Sequence, residues 1–297
     1  MPELPEVETV RTSLEPALVG RRFARVEIAD ARLTRPFDPV AVASELEGER
    51  VAAVERRGKY LIVRFESGRV LLVHLRMTGS FRHGTELADD PHGRAVVTLD
   101  DGTEVVYRDV RRFGTWLLLD GPELETYLDA RLGAEPLERA FGPKELERRL
   151  AGRRAPLKAA LLDQRTVAGV GNIYVDEALW RARLHPLTPA QEVAPEDVRR
   201  LHKAIRDALR MGIRRQGATL RDYARPDGGR GSMQDEFRVY GRGGEPCPRC
   251  GTPIEKTRAG GRGTWYCPRC QPFDAGYAAR SSSASSRPSR SRRQSSV

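Results

Sequence analysis

Cysteine is scarce in this 297-residue chain, with four copies, and no apolar run approaches the eighteen or so residues of a membrane span. The acidic opening Met1-Pro2-Glu3-Leu4-Pro5-Glu6 also lacks the basic and apolar regions of a secretory signal. Together these absences argue against a membrane-embedded or disulfide-stapled secreted protein and for a reducing cytoplasm. No internal repeat is visible. Acidic residues are missing from 280–297, where five arginines stand among serines with no aromatic residue. Such a segment cannot bury a core and is expected to be disordered, adding only nonspecific attraction to phosphate.

What is present is an uneven positive charge. The formal net charge is +10, yet residues 1–210 carry 34 charges of each sign, so the whole excess lies beyond them. Residues 211–279 hold 12 basic against 7 acidic side chains. A polyanionic partner such as nucleic acid is the natural reading, with a solvated basic surface as the bland alternative.

The four cysteines all lie in that basic region. Cys247-Pro248-Arg249-Cys250 and Cys267-Pro268-Arg269-Cys270 form two C-x2-C pairs separated by sixteen residues, the spacing of a structural zinc site. Four thiolates close a tetrahedral shell and leave no position for water, so this metal holds a fold together and does no chemistry.

At the other end, excision of Met1 would leave Pro2 as a free secondary amine with Glu3 and Glu6 beside it. An α-amine titrates near pH 8, about two units below lysine, so a useful fraction is neutral and nucleophilic at physiological pH. Its adduct with a sugar aldehyde carbon is an iminium that cannot lose an N–H proton and so remains an electron sink. Pro2 equally suits the opening of a helix.

Periodicity places a helix over the first segment, with Val7, Val10, Leu14 and Leu18 on one stripe and Gly20 ending it. Short β-rich runs follow at Arg21–Asp30, Glu49–Arg56, Tyr60–Phe65, Val70–Leu75, Ala95–Leu99, Glu104–Tyr107 and Thr115–Leu119, which predicts a sandwich or barrel. Beyond Leu132 the pattern turns helical: Lys144–Leu150, Leu157–Asp163, Asn172–Arg181 and Pro195–Arg215, with Arg225–Gly231 reading as a mobile loop. Gly169-Val170-Gly171-Asn172 opens one of these helices, whose free N–H groups suit a phosphate as well as a simple turn. Met77 and Phe113 stand at strand ends beside Arg76 and Arg111, either as core residues or as wedges that pry stacked bases apart.

Taken in order, Met1–Arg11, Lys59, Met77, Arg111–Phe113, Gln164–Glu177, Val239-Tyr240-Gly241-Arg242 and the four cysteines resemble bacterial formamidopyrimidine-DNA glycosylases, over residues 1 to about 272. Leu4 with Val7-Glu8-Thr9-Val10 favours this purine-directed branch over the sister endonuclease VIII type. The resemblance implies an α+β chain: an N-terminal helix plus β-sandwich over 1–132 and a helical DNA-binding domain with a helix-two-turn-helix over 133–240. A four-cysteine zinc-finger hairpin over 241–275 and a basic tail over 276–297 complete it. It further implies a cytoplasmic, monomeric enzyme with one zinc, acting on damaged double-stranded DNA. Oxidised purines such as 8-oxoguanine and formamidopyrimidines would be removed, and the abasic site cleaved by β,δ-elimination through a Pro2 Schiff base. By the same resemblance Glu3 is the proton donor and Glu6 its support, Lys59 belongs to the catalytic set, and Lys59, Asn172 and Arg262 hold phosphates. Lys158 joins the DNA contacts, and Met77, Arg111 and Phe113 fill the gap left by an extruded base. Ser232-Met233 departs from the aromatic residues common there in the family, and His92-Gly93-Arg94 from its His-x-His pattern. Two other readings stay open: an endonuclease VIII-like enzyme for oxidised pyrimidines, and a non-catalytic zinc-ribbon DNA-binding protein, which leaves Pro2, Glu3 and Lys59 without a task.

Overall fold

A computed structural model describes residues 1–87, 89–220 and 224–273; the basic tail lies outside the described residues. Helix α1 (Leu4–Leu18) follows an extended Glu3, with Pro5 in its first turn and Val7, Val10, Leu14 and Leu18 buried as the stripe predicts. Two four-stranded antiparallel sheets come next. One runs β1 (Phe23–Ile28), β6 (Gly93–Leu99), β7 (Glu104–Asp109), β5 (Gly79–Gly84), and the other β2 (Val51–Arg57), β3 (Tyr60–Phe65), β4 (Val70–His74), β8 (Thr115–Leu119). Of the two architectures the strand pattern allowed, the sandwich is the one formed.

Alternation along β3 shows why. Leu61, Val63 and Phe65 enter the core between the sheets, where Phe23, Val97, Tyr107 and Trp116 meet them. Tyr60 and Ile62 face the other way and are covered by Leu124 and Leu128 of α3 (Gly121–Asp129). Three elements go beyond the expected pattern: β5, α2 (Pro39–Leu46) and α3. Local signals announce both helices. Asp38 accepts the N–H of Ala41, and Asp120 and Glu123 exchange reciprocal backbone contacts of 2.8 Å, a capping box.

Helices α4 (Pro143–Leu150), α5 (Leu157–Leu162), α6 (Asn172–Ala182) and α7 (Pro195–Arg214) build a second core. Val198, Leu201, Ile205 and Leu209 of α7 are buried at helical spacing. Leu4 belongs to this helical core although Val7, Val10, Leu14 and Leu18 of α1 pack in the sandwich, and its N–H donates to Gly169 O at 3.0 Å. The chain start is therefore pinned at the seam between the two cores. The hairpin β9 (Glu255–Ala259) and β10 (Arg262–Tyr266) packs on α6.

Candidate active site and metal centre

Glu3 is held firmly at the seam. Its Oε1 accepts the N–H of Ile173 at 2.9 Å and its Oε2 that of Tyr174 at 3.4 Å, so the first turn of α6 closes on a carboxylate 170 residues away in sequence. These donors, which the sequence offered to a phosphate or to a simple turn, are taken by the protein itself. Gly171 leaves the room: a Cβ there would stand 2.3 Å from the Glu3 carboxyl carbon. With 2% of Glu3 exposed, loss of hydration raises its pKa to about 7, against the opposing pull of Lys59. Glu6 lies one turn on; its Oε2 accepts the Glu3 N–H at 2.9 Å, and its Oε1 accepts Tyr174 Oη–H and Ala218 N–H, both at 2.8 Å.

Lys59 reaches the same place from the β2–β3 hairpin, whose two-residue turn is Gly58-Lys59. Only 5% of it is exposed, and burial pushes its pKa down while Glu3 opposes that shift. A cleft runs past these groups as two adjoining recesses of about 380 and 360 Å³ that share Met1, Met77, Ile173, Leu220 and Tyr240. Pro2, Glu6 and Arg111 line the first; Glu3, Lys59, Asn172 and Arg262 line the second.

At the cleft mouth, two strand-end loops are tied together by Asp109, which is 1% exposed. It accepts the Thr78 hydroxyl and the N–H groups of Arg111 (3.2 Å), Phe113 (2.9 Å) and Gly114 (2.7 Å). Arg112, at φ 58°, is anchored bidentately to buried Asp30. Phe113 is thereby left 51% exposed with the Arg111 guanidinium 4.7 Å from its ring centre, so it is a presented side chain, not a core one. Thr78, Asp109 and Asp30 carry no readable signal in the sequence, because their role is to orient others.

His74, in the second recess, is another residue passed over from sequence. Its Nδ1 accepts the Arg76 N–H at 2.9 Å, and burial lowers its pKa to about 3, so the ring is neutral with its proton on Nε2. Met233, at the departure from the family pattern, is fully buried in the helical core and does not face the cleft. The 225–231 loop docks on β5, with His83 N–H to Pro226 O at 3.1 Å.

Lys158 requires a correction. Expected on the DNA face, it has no exposed surface and pairs with Asp176 at 2.8 Å, also donating to Gly263 O and Thr264 Oγ1 at 2.8 and 2.9 Å. Burying a lysine without a partner is prohibitively costly, and this one is spent on docking the β9–β10 hairpin. Asp176 accepts the Trp265 N–H at 3.1 Å and Asn172 Nδ2 donates to Gly263 O at 3.1 Å, so exposed Arg262 is carried on a firmly held strand.

The four cysteines form a separate cluster, with all Sγ atoms within 4.8 Å of one another. Tetrahedral zinc–sulfur bonds of about 2.3 Å require sulfur separations of about 3.8 Å, and the Cys250–Cys267 and Cys247–Cys270 distances are 3.5 and 4.0 Å. The donor set fits one structural zinc. Trp180 of α6 donates its indole N–H to Cys247 Sγ at 3.4 Å, with Arg249 stacked 4.0 Å from its ring. A strong chelator, or Cys250→Ser, is therefore expected to release one zinc per chain and red-shift tryptophan emission while the sandwich stays folded. Retention of the native emission spectrum by metal-free protein would remove the metal from the fold.

Known proteins share this architecture. Family models for the formamidopyrimidine-DNA glycosylase N-terminal domain, its H2TH domain and a zinc finger found in FPG and IleRS match residues 1–116, 132–224 and 244–272. A formamidopyrimidine-DNA glycosylase of Symbiobacterium thermophilum is 49% identical over 281 residues, which are 94% of this chain and 92% of that protein. A Lactococcus lactis FPG variant bound to Fapy-dG-containing DNA superposes with a TM-score of 0.86 at 38% identity, covering 92% of this chain and all of that one. The wild-type Lactococcus lactis FPG, bound to DNA containing an oxidised pyrimidine, has a TM-score of 0.85 at 37% identity with the same coverage. Among the described residues no helix is long and apolar enough to cross a membrane.

Proposed function

Because this chain belongs to the formamidopyrimidine-DNA glycosylase family, we propose that it excises oxidised purines from duplex DNA and then cleaves the strand through a covalent Pro2 adduct. The observation that carries the reading is the seam itself. A buried carboxylic acid with a pKa of about 7 adjoins Pro2 and shares one cleft with Lys59, Asn172 and Arg262. A proton donor poised at neutral pH, an amine and three phosphate-binding groups are the parts that excision of a flipped nucleotide needs.

After removal of Met1, the Pro2 nitrogen attacks C1′ of the flipped nucleotide while Glu3 protonates the sugar ring oxygen or the departing base. Opening of the sugar ring leaves an iminium that acidifies C2′–H; loss of that proton, with the Glu3 carboxylate as the acceptor at hand, expels the 3′ phosphate, loss of the C4′ proton expels the 5′ phosphate, and water hydrolyses the remaining iminium to free Pro2. Lys59, Asn172 and Arg262 hold the flanking phosphates, and Met77, Arg111 and Phe113 occupy the vacated stack. The metal does no chemistry in this scheme: it holds the β9–β10 hairpin that presents Arg262.

The decisive experiment is borohydride trapping on paired duplexes carrying an oxidised purine or an oxidised pyrimidine. Faster trapping on the purine duplex is expected. Preference for the pyrimidine would transfer the assignment to the second reading, which the oxidised-pyrimidine complex of the Lactococcus protein keeps in view, and no adduct on either would leave a DNA-binding protein without this chemistry.

The exposed position of Phe113 gives a further expectation. Phe113→Ala combined with Met77→Ala is expected to slow release of a damaged base on the order of tenfold or more, and cleavage of a preformed abasic site far less, since only the first reaction must unstack a base. Single-turnover rates on the two substrates check this. Equal losses would show that these side chains do not act in extrusion.

A further inference from the structure

The turn that carries Lys59 is gripped by a carboxylate from outside the sandwich. Glu135, on the segment between α3 and α4, is 5% exposed. Its Oε2 accepts the Gly58 N–H at 2.9 Å and Arg57 Nη1 at 3.2 Å, and its Oε1 pairs with Arg56 Nη1 at 2.8 Å. Arg56 extends the cluster to Glu8 on α1 at 2.9 Å and also holds Gly58 O at 3.0 Å, while Arg57 Nη2 holds Gly133 O at 2.9 Å.

The turn leans on a neighbouring strip. Gly58 adopts φ +58°, and a Cβ there would make ordinary contact with Leu132, Ala168 and Gly169 at 3.4–3.5 Å. The strip it leans on also builds the catalytic side of the cleft: Ala168 N–H donates to Ala134 O at 2.9 Å, Gly169 O accepts the Leu4 N–H at 3.0 Å, and Gly171 backs Glu3. Lys59 is 5% exposed and reaches into the second recess from this turn, so a displaced turn displaces the point from which its ammonium extends.

We propose that Glu135 is the positioning residue for Lys59, setting the place of its ammonium against Glu3 across the seam without touching DNA. The proposal rests on the reading of Lys59 as a phosphate ligand. A carboxylate that only sealed the seam would make the protein less stable when altered, but would leave each single charge contact with DNA intact.

A double-mutant cycle separates these cases. Glu135→Gln, Lys59→Met and the double variant, as zinc-loaded full chains, are titrated with a duplex carrying an abasic-site analogue over a range of salt concentrations, with thermal melts in parallel. Lys59→Met is expected to weaken binding about tenfold and to flatten the slope of log Kd against log salt by about one unit, the signature of one lost phosphate contact. Glu135→Gln is expected to do the same, and the double variant to be no worse than Lys59→Met alone, since a displaced lysine and a missing one are equivalent. Arg262→Ala, in the same recess but outside the Glu135 cluster, should weaken binding further in each background.

An unchanged slope in Lys59→Met would overturn the reading of Lys59 itself. A flattened slope in Lys59→Met with an unchanged one in Glu135→Gln, or losses that add, would overturn the positioning role. If Glu135→Gln does not fold, Arg57→Gln removes one of its partners from the more exposed side. Its expected loss of about threefold should vanish in the Lys59→Met background, and persistence of that loss would again overturn the proposal.

Discussion

Protein that retains Met1, or carries any residue ahead of Pro2, is expected to bind an abasic-site duplex and do nothing further to it. An amide nitrogen has no lone pair to give, so both excision and strand cleavage through the covalent adduct should fall on the order of 10⁴-fold or more, the scale of losing a catalytic nucleophile. The cleft geometry sharpens the expectation. Met1 is half-exposed and lines both recesses, so while present it also occupies space meant for the nucleotide. Binding should survive in weakened form, because the phosphate contacts proposed for Lys59, Asn172 and Arg262 do not use the amine. Intact-mass measurement before and after borohydride treatment reads Met1 removal and adduct together. A tagged chain that still excises oxidised purines and still traps would move the search for the nucleophile to a lysine, with Lys59 first, since Lys158 is sealed off.

Glu3→Gln should differ in kind. The amine remains, so a preformed abasic site is still trapped, but excision of an intact damaged base is expected to fall by about a hundredfold or more, as for loss of a general acid. The pH dependence follows from the raised pKa of about 7. Excision by the unaltered protein should decline as pH rises through 7 and Glu3 loses its proton, and this limb should be absent from Glu3→Gln. Stability runs in the same direction. Because the folded state holds the proton more tightly than the unfolded chain, whose carboxyl titrates near 4.5, Glu3 favours folding fully below that value and progressively less up to pH 7. Glu3→Gln should therefore gain melting temperature relative to the parent at pH 8 and lose that advantage near pH 4. Matching melting curves at pH 8 would contradict a strained, dehydrated carboxylate.

Local chemistry was readable wherever it repeats over a few residues. The zinc ligands follow from two C-x2-C pairs, α7 from its apolar stripe, and most strands from alternation, since each of these signals lies within one helix or one hairpin. Lys158 illustrates the opposite case. Its charge indicates a wet surface, and its true environment depends on Asp176 and on Gly263 and Thr264, more than a hundred residues away. Asp109, Asp30 and Glu135 were silent for a related reason: an acidic residue in a loop or at a strand end has no pattern until the N–H groups and guanidiniums it collects are in place.

The residues alone specified which chemistry is available: a proline amine beside two carboxylates, four thiolates at metal spacing, and basic charge gathered in the second half of the chain. Assembly of the two cores specified what that chemistry can do. The pKa of Glu3 depends on the water excluded by α1, α6 and the Lys59 turn, and the exposure of Phe113 on two loops locked by one buried aspartate. Dehydration and through-space charge act over a few ångströms regardless of distance along the chain, so neither quantity exists until segments far apart in sequence, 31 residues for Thr78 and Asp109 and 170 for Glu3 and Ile173, are packed together.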